Sequence, residues 1–144
     1  MRDLTHPNII KLEEVYETAN SIYLIMELLD GGQLKSKIMQ SEIISKDRKI
    51  IMKQILSGLV YLQEKQLMHR DLKPDNIMFK KKNSNDICIV DFGLATYETN
   101  VPYLFSRCGT PGFVAPEIAN IKDPNAKYSC LCDIFSAGII FHLL

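Results

Sequence analysis

The stretch His69-Arg70-Asp71-Leu72-Lys73-Pro74-Asp75-Asn76 gathers a carboxylate, a cation and a side-chain carbonyl into one short segment. Asp71 can accept a proton from an attacking hydroxyl. Lys73 can neutralise charge on a transferring phosphoryl group, and Asn76 can offer a carbonyl oxygen to Mg²⁺. Phosphoryl transfer is mostly a matter of positioning and charge stabilisation, so these three groups suit it.

Two further segments extend the pattern. Asp91-Phe92-Gly93 follows the apolar run Ile87-Cys88-Ile89-Val90, which reads as a short buried strand. Cys108-Gly109-Thr110-Pro111-Gly112-Phe113-Val114-Ala115-Pro116-Glu117 comes next and ends in Ala-Pro-Glu. Any one piece, such as Asp-Phe-Gly alone, is compatible with an ordinary strand-to-turn sequence; the ordered set is not. In order and spacing the three segments resemble the catalytic loop (69–76), metal-binding triplet and activation segment (91–117) of a eukaryotic protein kinase.

That resemblance implies ATP and Mg²⁺ as cofactors, a protein substrate with a Ser/Thr acceptor, Asp71 as catalytic base, and Asn76 with Asp91 as the metal pair. Lysine two residues after the catalytic Asp resembles the serine/threonine kinases. Thr110 agrees, since in that family its hydroxyl bridges the Asp and the Lys. The family also packs His69 in the core against Phe92, and Asp133 holds the catalytic loop's backbone from below. Glu117 normally pairs with an arginine from a later helix, which this sequence does not contain.

The same resemblance assigns Glu27, Leu29 and Met78 to the adenine site, together with Asn76 and Asp91 on the phosphate side. Residues 29–33 look like the hinge between two lobes, and Met26 stands at the back of the pocket. A plain turn at Gly31-Gly32 is compatible with that hinge. Leu28-Leu29-Asp30-Gly31-Gly32 and the 108–117 segment resemble the calcium/calmodulin-dependent kinase group. Members of that group often read an arginine upstream of the target hydroxyl, with an acidic residue just after the double glycine. Here that residue is the neutral Gln33, while Asp75 stays acidic, so a weakened basic preference is expected.

Arg70, beside the catalytic Asp, suggests regulation. Such an arginine commonly grips a phosphate on the activation segment through paired hydrogen bonds. Ser106 is the candidate phosphosite; the alternative is a solvated loop serine.

These groups need elements to hold them. Residues 9–16 and 21–28 read as two strands about the polar turn Glu17-Thr18-Ala19-Asn20. A helix is expected from Ser45 or Lys46 to about Lys65, with Ser45 as N-cap and Ile51, Ile55, Leu59 and Leu62 on one buried face. Ile77-Met78-Phe79 and residues 87–90 form a strand pair, with Lys80-Lys81-Lys82 in the solvated turn between them. Residues 133–144 resemble the buried central helix of the family's large lobe. The resulting fold class is α+β: a truncated two-lobe kinase fold within residues 1–144. Residues 1–28 are the end of the small lobe and 34–144 belong to the large one.

Bulk properties agree with an ordinary globular chain. Of 144 residues, 47% are hydrophobic and 24% charged, and 17 basic residues balance 17 acidic ones. This balance gives no sign of a nucleic-acid or membrane partner. No apolar run approaches the ~20 residues of a membrane span. The four cysteines, Cys88, Cys108, Cys130 and Cys132, lack zinc-knuckle spacing. Cys88 is expected in the core, and an intracellular, cytoplasmic protein with reduced thiols is the simpler reading.

Some of the family's parts are missing. A whole kinase domain has about twice this many residues. No Gly-x-Gly-x-x-Gly loop and no Val-Ala-Ile-Lys-like lysine occurs in the sequence. The alignment of His6-Pro7-Asn8-Ile9 makes Met1 an internal methionine or the edge of the record. The apolar end of the chain also departs from the polar linkers that bound domains. The 144-residue chain alone is therefore expected to have little activity. An upstream kinase or calmodulin would act through the missing segments. Two readings follow: part of an active protein serine/threonine kinase, or a truncated or degenerate kinase serving as a binding module or scaffold. Intact Asp71, Asn76 and Asp91 favour the first.

Overall fold

The computed structural model describes residues 3–123 and 125–144; Met1, read above as an internal methionine or the edge of the record, lies outside them. Strands β1 (Leu12–Glu17) and β2 (Ile22–Met26) form an antiparallel hairpin with Val15 opposite Leu24 and Tyr16 opposite Tyr23. β1 begins later than expected. Ile9 and Ile10 leave the hairpin and enter the core, where the Ile10 N–H donates to the Ile89 carbonyl at 3.0 Å. Asn8 fixes that path, because its side-chain amide donates to the Ile87 carbonyl at 2.9 Å. All five residues of β2 are exposed.

Helix α1 (Leu34–Met39), which the sequence did not announce, follows the double glycine. Gly31 admits no side chain: a Cβ there would meet Phe79 Cβ and Lys81 O at 2.5 Å. Its N–H donates to the Phe79 carbonyl, so the linker lies directly on the strand below. Helix α2 (Ser45–Glu64) has the expected extent, and Ile51, Ile55, Leu59 and Leu62 form its buried face. Its cap differs from expectation. Ile44, with extended backbone, is the N-cap residue and Ser45 is already helical, so no side chain caps this end. The Asp47 and Arg48 N–H groups bond the Ile44 carbonyl instead.

β3 (Leu67–Met68) precedes the 69–76 segment, and a 3₁₀ turn spans Pro74–Asn76. β4 (Ile77–Phe79) and β5 (Ile87–Ile89) pair antiparallel, with Met78 opposite Cys88. The lysine turn joins them, as expected. β6 (Thr96–Tyr97) pairs with β3. α3 (Pro116–Ala119) closes the long irregular segment, and α4 (Leu131–Leu143) begins two residues before the expected Asp133.

The architecture is α+β: three two-stranded sheets and four helices among the described residues. One apolar cluster joins α2 to β4 and β5 through Ile55, Leu62, Ile77, Phe79 and Ile89, with Ile140 from α4. A second, around Met68, Tyr103, Ile118 and Cys132, packs residues 101–121 against the start of α4. Burial of these side chains is the main force that sets the loops in place. All four cysteines are free thiols. No helix of the described residues is long and apolar enough to cross a membrane.

Candidate active site

The segment after β3 turns sharply because α4 holds it from beneath. The Asp133 carboxylate accepts the backbone N–H of His69 at 2.7 Å and that of Arg70 at 2.8 Å. Asp133 is buried, and a buried carboxylate needs such partners. Burial pushes its carboxyl upward, while His69 and the two amides pull the other way. Three residues on, the Ser136 hydroxyl donates to the Phe113 carbonyl at 2.7 Å. One helix face thus grips both the catalytic stretch and the 108–117 segment.

His69 is fully buried, with its ring edge-on to Phe92 at 4.9 Å between centroids. Its Nδ1 accepts the Asp71 N–H at 3.2 Å, which leaves Nε2 to donate to the Val90 carbonyl at 2.9 Å. The ring therefore ties the catalytic stretch to the residue before Asp91.

Asp71 lies at the centre of an interlocked set. Its Oδ1 accepts the Thr110 hydroxyl at 2.6 Å. Lys73 Nζ lies 2.9 Å from Asp71 Oδ2 and donates to Thr110 Oγ1 at 2.7 Å. The Asn76 amide donates to the Asp71 carbonyl at 2.9 Å and to Oδ2 at 3.1 Å. Burial opposes ionisation of Asp71, but the hydrogen bonds from Lys73 and Thr110 outweigh it and hold the carboxyl below its ordinary range. Asp71 therefore stays a carboxylate with lone pairs to spare for a further donor.

Gly109 allows Thr110 to come this close. Its φ is 109°, and a Cβ there would stand 2.8 Å from the Arg70 carbonyl. No residue with a side chain meets both conditions cheaply.

The β4–β5 ladder holds the residue before Asp91 against Asn76. Ile77 pairs with Ile89, and the Val90 N–H donates to the Asn76 carbonyl at 2.9 Å. The Asn76 amide nitrogen faces Asp71, so its Oδ1 points elsewhere and makes no hydrogen bond among the described residues. Asp91 is exposed, and only its Oδ1 is engaged, by the Gly93 N–H at 3.2 Å. Arg70 and Asp91 both hold positive φ, 68° and 62°, a region few non-glycine residues occupy. Hard oxygen donors of this kind fit Mg²⁺, which takes few protein ligands.

A cleft of about 510 Å³ opens beside Asp91. Glu27, Leu29 and Met78 line it, with Met26 and Ile10 in the apolar walls. Asn76 does not; it lies behind, on the Asp71 side. The Glu27 carboxylate turns away, towards the Lys11 N–H at 2.9 Å and Lys80 at 3.8 Å. What Glu27 and Leu29 offer the cleft is main chain. The Glu27 carbonyl and both backbone groups of Leu29 make no hydrogen bond among the described residues. Apolar walls with free donors and acceptors on one edge fit a planar heteroaromatic ring.

Arg70 is only 7% exposed. Its Nε donates to the Leu94 carbonyl at 2.7 Å, and Nη1 reaches the Phe105 carbonyl at 2.6 Å and the Tyr128 hydroxyl at 2.8 Å. Ser106 follows Phe105, so the arginine sits next to the candidate phosphosite while already holding the segment by its main chain. Tyr128 was not foreseen. Burial pushes its phenol up to about 12 against the pull of Arg70, so it stays a neutral hydroxyl. Nothing local marks it, since Arg70 and Tyr128 lie 58 positions apart.

Comparison with known proteins adds an independent finding. A family model described as "Protein kinase domain" matches residues 1–144. The chain is 44% identical over 146 residues to calcium-dependent protein kinase 5 of Plasmodium falciparum, covering 100% of the chain and 25% of that protein. It is 40% identical to calcium-dependent protein kinase 3 of Plasmodium yoelii yoelii, covering 100% of the chain and 26% of that protein. It is also 37% identical to a Dictyostelium discoideum protein named "Probable myosin light chain kinase", covering 100% of the chain and 47% of that protein. The chain thus spans between about a quarter and a half of the length of these relatives.

Proposed function

Because the chain belongs to the protein kinase domain family, we propose that the natural protein transfers the γ-phosphoryl group of ATP to a serine or threonine hydroxyl of a protein substrate. The observation that carries this reading is the interlock of Asp71, Lys73, Thr110 and Asn76 beside the cleft that Asp91 borders.

In this reading residues 29–33 are the hinge between two lobes, and its free main-chain groups bond the adenine. Asn76 Oδ1 and the Asp91 carboxylate would hold Mg²⁺. When bound, that ion neutralises charge on the phosphates and orients them. The acceptor hydroxyl would donate to Asp71, which takes its proton as the oxygen bonds to the γ-phosphorus and the bond to the β–γ bridging oxygen breaks, releasing ADP. Lys73, 2.9 Å from the base, would offset negative charge that develops on the transferring phosphoryl group. Thr110 keeps Asp71 and Lys73 at a fixed separation.

The reading also places the protein in the cytoplasm. Its support is that the four cysteines are free thiols, with Cys88, Cys130 and Cys132 buried. The names of the two Plasmodium relatives, both calcium-dependent protein kinases, support calcium control of the natural protein.

The test uses the natural full-length protein. Asp71→Asn should lower turnover by roughly 10²- to 10⁴-fold. Stabilisation by Mg²⁺-ATP, read as a thermal shift, should survive that change and be lost in Asp91→Ala. Retained turnover in Asp71→Asn removes Asp71 as the base. Nucleotide binding without transfer in the unaltered protein would instead support a binding module.

A further inference from the structure

A second cleft, of about 340 Å³, lies on the other side of the catalytic interlock. Lys73 and Thr110 form its inner edge, whereas Asp91 and the linker residues line the first cleft. The second cleft therefore borders two partners of Asp71 and shares no lining residue with the first. The walls of the second are apolar: Ile38 and Met39 from α1, Phe113 from the segment that Ser136 holds, and Leu143 from α4. At its rim Lys35 Nζ contacts Asp75 Oδ1 at 2.7 Å. The carboxylate that a basic substrate residue would seek is thus already paired with a cation.

We propose that this cleft receives an apolar side chain of the substrate polypeptide close to the acceptor hydroxyl, and that Lys35, by holding Asp75, removes the selection for arginine. The inference rests on the phosphotransfer reading and names the substrate sequence that reading leaves open. Two observations favour a substrate segment as the occupant. The cleft is continuous with Lys73 and Thr110 and is walled by apolar side chains. Its one acidic group is spent on an internal ion pair. An arginine there would have to displace Lys35 and face its charge, whereas a leucine, methionine or phenylalanine can pack on Ile38, Met39, Phe113 and Leu143. Gln33, neutral beside the double glycine, adds no compensating charge.

The experiment is a positional-scanning peptide library phosphorylated by the natural full-length protein and by two variants. Lys35→Ala and Met39→Gln suit it, because Lys35 is exposed and Met39 is 76% exposed, so neither change should disturb folding. The unaltered protein should enrich apolar residues at one fixed offset from the acceptor and show no arginine enrichment. Lys35→Ala should raise the ratio of arginine-containing to neutral peptide by roughly fivefold, the upper end for an exposed ion pair. Met39→Gln should weaken the apolar enrichment. Arginine selection by the unaltered protein, or profiles that neither variant changes, overturns the inference while leaving phosphotransfer intact. Absence of turnover on every peptide overturns the phosphotransfer reading and this inference with it.

Discussion

The Thr110 hydroxyl donates to Asp71 Oδ1 at 2.6 Å across 39 positions of sequence. The Thr110 oxygen also accepts from Lys73, so one hydroxyl braces a carboxylate and an ammonium that pair directly at 2.9 Å. Such a bridge is a positioning device, and it can be tested as one.

Thr110→Ala should lower kcat on the order of 10²-fold through misplacement of the pair, while Thr110→Ser restores most of it. The pH profile separates this from a general loss of structure. Asp71 is held below its ordinary range, so activity should persist well into acid and fall only as pH drops through that depressed value. Removing one of the hydrogen bonds that depress it moves the acid limb upward. The same sign applies to stability. Ionised Asp71 contributes above the carboxyl's unfolded pKa, and that contribution is lost as pH falls through the folded one. A Thr110→Ala profile with an unmoved acid limb would contradict the assignment.

Asp133→Ala should destabilise the protein by about 3 kcal/mol or more. It leaves the buried N–H groups of His69 and Arg70 without their acceptor, each orphan costing ~1–3 kcal/mol. Chemical denaturation of the variant measures the loss. A change under about 1 kcal/mol would mean that water replaces the carboxylate.

Ser106 tests regulation. If its phosphate adds to the contacts Arg70 already makes with Phe105 and Tyr128, Ser106→Ala should lower the activity of phosphorylated enzyme by about tenfold, the scale of one charge-assisted hydrogen bond. Equal rates for the two proteins would show that the main-chain clasp alone orders the segment.

Local pattern carried the longer elements. Ile51, Ile55, Leu59 and Leu62 recur at helical spacing, and that periodicity is a direct imprint of one buried face, so α2 was legible from end to end. The β4–β5 pair was legible because two apolar runs flank a lysine-rich turn. The cap of α2 was misread because a serine near a helix start does not reveal whether its own backbone is helical. α1 was invisible because six residues are too few to display a period. β3 and β6, two residues each, are strands only because each supplies the other's partner.

The residue types and their order determined the chemistry on offer: a carboxylate, a cation and oxygen ligands in the succession that phosphoryl transfer uses. The tertiary structure alone decided their geometry. Asp133 reaches back 64 positions to turn the catalytic stretch, Gly109 lets Thr110 close on Asp71, and Lys35 takes Asp75 out of play from 40 positions away. Contacts of that span depend on the whole path of the chain, which apolar burial fixes. A window of sequence reports which side chains want burial, but not which of them will meet.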